Sequence, residues 1–210
     1  MNSNTISTAQ NPEAEEEKVT ENGETELLHD IKDMSDEVEP KTGVSFPLLL
    51  GDGKELKALG VRKKNLLGLS IKVYSFGIYA DNQKLTSVLK SKISKVEANA
   101  TKEMCRIVID NPVGITVKMV IVFSSLTMSM VRKNFEETVG AAIKKLGGEK
   151  TDLTKRIMGE AKDGTKVHGK VVNKFESEML CRAFVYLYLG DDPLDKEAKE
   201  KFGMSLLSLF

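Results

Sequence analysis

Tryptophan is absent, and histidine and cysteine occur only twice each in the 210 residues. A Ser-His-Asp triad or a zinc centre therefore has little to be built from. His29 lies in a polar N-terminal stretch, and His168 lies between polar residues, where a surface imidazole is the ordinary role. Cys105 and Cys181 are too few for a disulfide framework. Both sit in apolar runs and read as buried, reduced thiols of a reducing compartment. No apolar run approaches the ~18 residues of a membrane-spanning helix. The longest, Val117–Phe123, is strand-length and contains Lys118, so stable membrane insertion is not expected. A surplus of charge of one sign is also missing. Lys+Arg and Asp+Glu number 31 each, so there is no basic surplus of the kind that nucleic-acid binding uses. There is no phosphate loop, no Gly-x-Gly-x-x-Gly after a strand and no outstanding pair of carboxylates, so no cofactor, metal or catalytic set is indicated.

The acid that is present is gathered at the start, around Glu15–Glu17. Residues 1–41 are polar and poor in aromatic and β-branched clusters, and cannot bury enough apolar surface to offset the entropy of ordering. They are expected to form a disordered acidic tail closed by Pro40, ahead of one folded domain over residues 42–210. The N-terminus lacks the basic start and apolar stretch of a secretory signal, and its glutamates do not suit a transit peptide.

Within the domain, Val44–Phe46 reads as a strand, Gly51-Asp52-Gly53 as a turn and Leu56–Arg62 as a second extended piece, with Lys63-Lys64-Asn65 a polar break. Leu69–Ala80 is a strand with apolar residues on both faces, hence buried on both sides. One face carries Lys72, Tyr74, Phe76 and Ile78. Lys84–Ser94 has helical spacing. Met104–Asp110 and Ile115–Phe123 alternate as strands, with Asn111-Pro112-Val113-Gly114 as the hairpin between them. A helix capped within Ser125–Ser129 carries Val131, Phe135, Val139, Ala142, Ile143 and Leu146 on one stripe, and ends at Gly147-Gly148. Between 149 and 172, Leu153–Ala161 fits a helix or one arm of a hairpin turning at Asp163-Gly164. Phe175–Leu189 is a helix with Leu187 facing inward, Gly190 stops it, and Asp192-Pro193 opens a last helix. A strand-led half followed by a helix-led half argues for an α+β fold, an antiparallel sheet packed against a layer of helices.

Gly60–Asp81 is the segment with chemistry to offer. If its two extended pieces pair antiparallel, Arg62 and Tyr74 face one cleft. A guanidinium offers a planar fork of donors suited to a carboxylate, and a tyrosine adds a neutral donor and an apolar ring. That set suits an anionic head on an apolar body. The bland reading, a solvated Arg62 and a core Tyr74, starts ahead on spacing alone.

Several motifs resemble the chalcone isomerase family in order along the chain. They are Gly60-Val61-Arg62, Val73-Tyr74-Ser75-Phe76-Gly77-Ile78-Tyr79, Val131–Glu137 and Glu178–Gly190 with Asp195–Lys201. Thr42–Pro47, Arg62–Gly68, Val73–Asp81 and Tyr188–Pro193 are similar to its plastid fatty-acid-binding branch. Together these cover roughly residues 42–148 and 170–210. The resemblance implies an open-faced sandwich in which Arg62 and Tyr74 hold a free fatty acid carboxylate, with Met130 and Leu187 lining the tail. Active isomerases resemble this chain at Arg62 and at Lys133. They carry threonine at the place of Tyr74, tyrosine at Met130, asparagine at Glu137 and threonine at Leu187. Exchanging donors for Met130 and Leu187 removes hydrogen bonds that ring closure needs. The resemblance thus implies a non-catalytic fatty-acid binder of the plastid stroma, with a flavonoid-pathway helper and an active isomerase as the other readings it leaves open. Glu149–Lys170 departs from the family, being shorter and free of proline, so the pocket floor is not carried over.

Overall fold

The computed structural model describes residues 36–66, 68–93, 100–149 and 177–209. Expectations for the acidic stretch up to residue 35, for His29, for residues 150–172 including His168, and for Phe175 fall outside them. Two sheets and five helices are described. Strands β1 (Glu37–Glu39) and β2 (Val44–Phe46) form a small antiparallel hairpin. β1 thus lies on the N-terminal side of Thr42. Strands β3 (Glu55–Leu66), β4 (Leu69–Ala80) and β5 (Thr116–Ile121) form an antiparallel sheet in the order β3-β4-β5. The helices are α1 (Asn82–Lys92), α2 (Ala100–Asp110), α3 (Met128–Lys145), α4 (Glu178–Leu189) and α5 (Lys196–Leu207). This is the α+β fold expected, helices layered on an antiparallel sheet.

β4 is buried on both faces from Ser75 to Ala80, as its two-sided apolar pattern requires. Phe76, Ile78 and Ala80 join a helix-side core with Leu85, Leu89, Met104, Val108, Tyr188, Leu189, Phe202 and Leu206. On the opposite face the β1–β2 hairpin closes over the sheet. Its Thr42 hydroxyl bonds the buried Ser75 hydroxyl at 2.6 Å and also donates to Glu39 Oε2 at 2.7 Å. The nearly inaccessible Glu39 carboxylate also accepts from the Lys41 backbone N–H at 3.2 Å, which supplies the partners a buried carboxyl needs.

The helix starts follow side-chain chemistry. Asp81, Thr127, Ser177 and Asp195 each accept a backbone N–H of the first turn, from Lys84, Met130, Leu180 and Ala198 respectively. Lys144 and Lys145 close α3 ahead of Gly147, and Gly190 closes α4 with its N–H on the Tyr186 carbonyl at 2.8 Å.

Six local expectations are corrected. Lys63-Lys64-Asn65 is no break: β3 runs through it, and the three residues pair with Lys72, Ile71 and Ser70. Met104–Asp110 is not a strand but the body of α2. Its β-branched run alternates acceptably, yet the buried residues are Met104, Cys105, Val108 and Ile109, the spacing of a helix face. Packing against α1, α4 and α5 overrides the strand propensity. Asn111–Gly114 consequently links α2 to β5, and the Asn111 side chain caps the Ile107 carbonyl at 2.8 Å. The last helix starts from Asp195 and not Asp192, because the Leu194 N–H bonds back to the Leu187 carbonyl at 2.8 Å and holds 191–194 as a turn. Lys72 does not share the face of Tyr74. The register passes from Arg62↔Tyr74 to Lys63↔Lys72, leaving Val73 as a bulge. Lys72 is turned to the other side, where its ammonium donates to the Lys41 carbonyl of the small hairpin. Finally, Cys105 is buried as expected, but Cys181 is exposed on α4.

Candidate functional site

Arg62 and Tyr74 are direct cross-strand partners. Opposed residues of an antiparallel pair project to one face, so the sheet itself sets the two side chains together. Tyr74 is in turn opposite Ile121 of β5, and the next row inward on this face is Gly60, Phe76 and Met119. Gly60 is needed there. A Cβ at this position would stand 2.4 Å from the Phe76 ring and 2.7 Å from the Ala198 Cβ, so only glycine lets the ring and α5 approach the strand.

Helix α4 lays aromatic rings over these rows. Phe76 meets Tyr188 edge-on at 4.9 Å between centroids, Tyr188 meets Phe184 at 5.4 Å, and Phe184 meets Phe135 of α3 at 6.3 Å. Tyr74 and Phe76 are 6.2 Å apart. A continuous aromatic path therefore runs from the Arg62–Tyr74 pair to α3. The Tyr188 hydroxyl donates to the Met119 sulfur at 3.6 Å, and it lies close enough to the Tyr74 hydroxyl for each to shift the other's pKa. The neutral Tyr74 hydroxyl carries a proton of its own to donate.

Burial raises the Tyr74 hydroxyl above its ordinary pKa, while Tyr188 and the Arg62 guanidinium pull it partly back. Burial pushes Tyr188 up strongly, Tyr74 adds to the rise, and Arg62 opposes it. Both phenols stay neutral at physiological pH and act as donors, with Arg62 supplying the positive charge. Among the described residues no carboxylate pairs with Arg62. An anion placed here would meet one cation and a neutral tyrosine hydroxyl able to donate to it.

Leu187 packs at the seam between the helix-side core and a second cluster of Val139, Ala142, Ile143, Leu180 and Ala183. Phe135, Phe184 and Leu187 are only partly buried there, so apolar surface remains accessible between two close-packed clusters. Met130 is placed differently. It lies in the first turn of α3, is 47% exposed, and belongs to neither cluster. Arg62, Tyr74 and Leu187 are thus gathered around the aromatic path, and Met130 is not. Tyr188, Met119 and Ile121 are the residues that sequence reasoning missed. The four-residue step from the inward Phe184 to Tyr188 was the available signal. Two clefts lie elsewhere: one of about 680 Å³ along Lys92, Arg106 and Asn111, and one of about 270 Å³ beside Cys105, Pro193 and Lys199. Burial holds the Cys105 thiol up to about 11 in pKa, so it is no nucleophile. No group of His, Cys, Asp and Glu suited to a metal ion occurs among the described residues.

No protein-family profile matches the chain. It is 46% identical to chalcone isomerase-like protein 1 of Humulus lupulus, over 82% of this chain and 92% of that protein. The chain belongs to the chalcone isomerase-like family. It is also 35% identical to fatty-acid-binding protein 1 of Arabidopsis thaliana, over 79% of this chain and 68% of that one. Fatty-acid-binding protein 2 of the same plant is 26% identical, with 82% of this chain spanning 51% of its length. The crystal structure of an Arabidopsis thaliana fatty-acid-binding protein superposes with a TM-score of 0.74 at 34% identity, covering 83% of this chain and 98% of that one. The family's fatty-acid-binding members are therefore similar to this chain in sequence and in fold alike.

Proposed function

We propose that this member of the chalcone isomerase-like family is a non-catalytic binder of free fatty acids. Arg62 and Tyr74 hold the carboxylate, and the acyl chain lies between the sheet and helices α3 and α4 along the Phe135–Phe184–Leu187 seam. The observation that carries this is the register pair Arg62↔Tyr74, a cationic donor set opening onto an aromatic and aliphatic wall. Ring closure would need hydroxyl donors where this chain has Met130 and Leu187, and neither side chain can supply a hydrogen bond. The plastid stroma is the compartment proposed, on family resemblance.

The 46% identity to chalcone isomerase-like protein 1 favours a second reading, a non-catalytic helper in flavonoid synthesis. Mass spectrometry of ligands co-purified from the native source separates the two. Fatty acids that are lost in the Arg62→Ala variant support the binder, whereas retained flavonoids support the helper. Enzyme-level turnover of a chalcone would overturn both.

A further inference from the structure

The tip of the β3–β4 hairpin has a composition that its fold does not require. From Leu56 to Ala80 the chain carries Lys57, Arg62, Lys63, Lys64 and Lys72 and no aspartate or glutamate, although acids and bases are equal in number overall. The pair that ends the ladder here is Leu66↔Leu69, apolar where the ends of hairpins are usually polar. Gly68 takes φ +82°, so the reversal itself is made by glycine and the leucines are not needed for it. Leu69 is 69% exposed, and Lys63, Lys64 and Lys72 around it are exposed too. On the neighbouring strand Ile121 is 54% exposed, directly across from Tyr74.

We propose that this hairpin tip is a peripheral docking arm for an anionic lipid bilayer. A leucine tip flanked by lysines inserts its apolar end among acyl chains while the ammonium groups stay at the phosphate level. An acidic protein or a nucleic acid would complement the lysines, but would leave Leu69 without a partner. The Arg62–Tyr74 pair sits only about 13 Å along the strand from the tip. Docking therefore sets the candidate mouth at the membrane surface. Ligand exchange through that mouth rests on the fatty-acid reading; the docking does not.

The test is vesicle flotation of the full chain without added fatty acid. Vesicles are of phosphatidylcholine alone or of phosphatidylcholine with phosphatidylglycerol, at low and physiological salt. Wild type is expected to float with the anionic vesicles and not with the neutral ones, less so as salt rises. Lys63→Gln/Lys64→Gln should weaken partitioning about fivefold per lysine, and Leu69→Ser about tenfold or more. Lys90→Gln/Lys92→Gln, on the helix that follows the opposite end of β4, makes the same charge change and should float like wild type. Circular dichroism verifies the fold of each variant, all altered at exposed positions. Equal flotation with both vesicle types would overturn the proposal. So would an equal loss in the Lys90/Lys92 control, or an unaffected Leu69→Ser, which would mark the lysines as a site for acidic macromolecules. Fatty-acid binding measured in solution on the same variants should be unchanged, so failure of the docking and failure of the ligand reading are distinguishable.

Discussion

Replacing Arg62 by glutamine asks how much of the binding is charge and how much is apolar burial. An acyl chain of about ten methylenes contributes roughly 8 kcal/mol gross on burial, before the cost of association is subtracted. A hydrogen bond to a charged group is worth about 1.5–3 kcal/mol, which is roughly 10- to 150-fold in Kd. Arg62→Gln should therefore weaken a saturated fatty acid by about one to two orders of magnitude without abolishing binding. The sharper reading is selectivity. Wild type should prefer the free acid to its methyl ester by a similar factor, and the variant should lose that preference, because the ester cannot use the cation. Displacement of a fluorescent fatty acid, with acid and ester titrated in parallel, measures both quantities. Tyr74→Phe, added to Arg62→Gln, should cost less than the sum of the two single effects, since both act on one carboxylate. An Arg62→Gln variant that binds the acid as tightly as wild type, or keeps the acid-to-ester ratio, would refute the carboxylate clamp. It would leave Arg62 as a surface cation.

Three further outcomes follow from the packing and the pKa directions. Gly60→Ala drives a methyl into the Phe76 ring and Ala198, and should destabilise by about 1–3 kcal/mol in urea unfolding. Asp195→Ala removes the cap of α5 and the acceptor of the Val61 N–H at 2.9 Å; a loss of about 2–4 kcal/mol is expected, with Asp195→Asn recovering part of it. Burial raises Tyr188 well above its unfolded value and Tyr79 to about 12. Their contribution to stability is therefore complete below pH ~10 and declines by up to about 1.4 kcal/mol per pH unit per tyrosine as pH rises from 10 toward 12. Denaturant titrations across that range, followed by circular dichroism, give the slope.

How far these features were legible in the sequence depended on whether local pattern and tertiary environment agree. β4 announced itself because a two-sided apolar strand has few other uses, and α3 because stripe, cap and terminal glycines coincide. α2 was misread because Met104–Asp110 satisfies both periods, and only the helices packed on it decide between them. The Arg62–Tyr74 pairing was visible as a possibility, but its register is a property of two strands together. The same holds for Tyr188, whose hydroxyl matters through β4 and β5 and not through anything adjacent on α4. Met130 was read from alignment to a family position, and a position in an alignment does not fix how deeply a side chain is buried.

The single unpaired residue at Val73 works as a rotary joint in the hairpin. Beyond it β4 presents the reverse assignment of sides, so Tyr74 looks toward the helices while Lys72, two positions away, looks toward the small hairpin. A residue inserted opposite it, between Arg62 and Lys63, would give Val73 a partner, straighten the ladder and bring Lys63 and Lys72 into line behind Arg62 and Tyr74. One residue of chain length thus decides whether the next row on that face holds one lysine, Lys64 opposite Ile71, or two, Lys63 opposite Lys72, a change that no substitution at Arg62 or Tyr74 could produce.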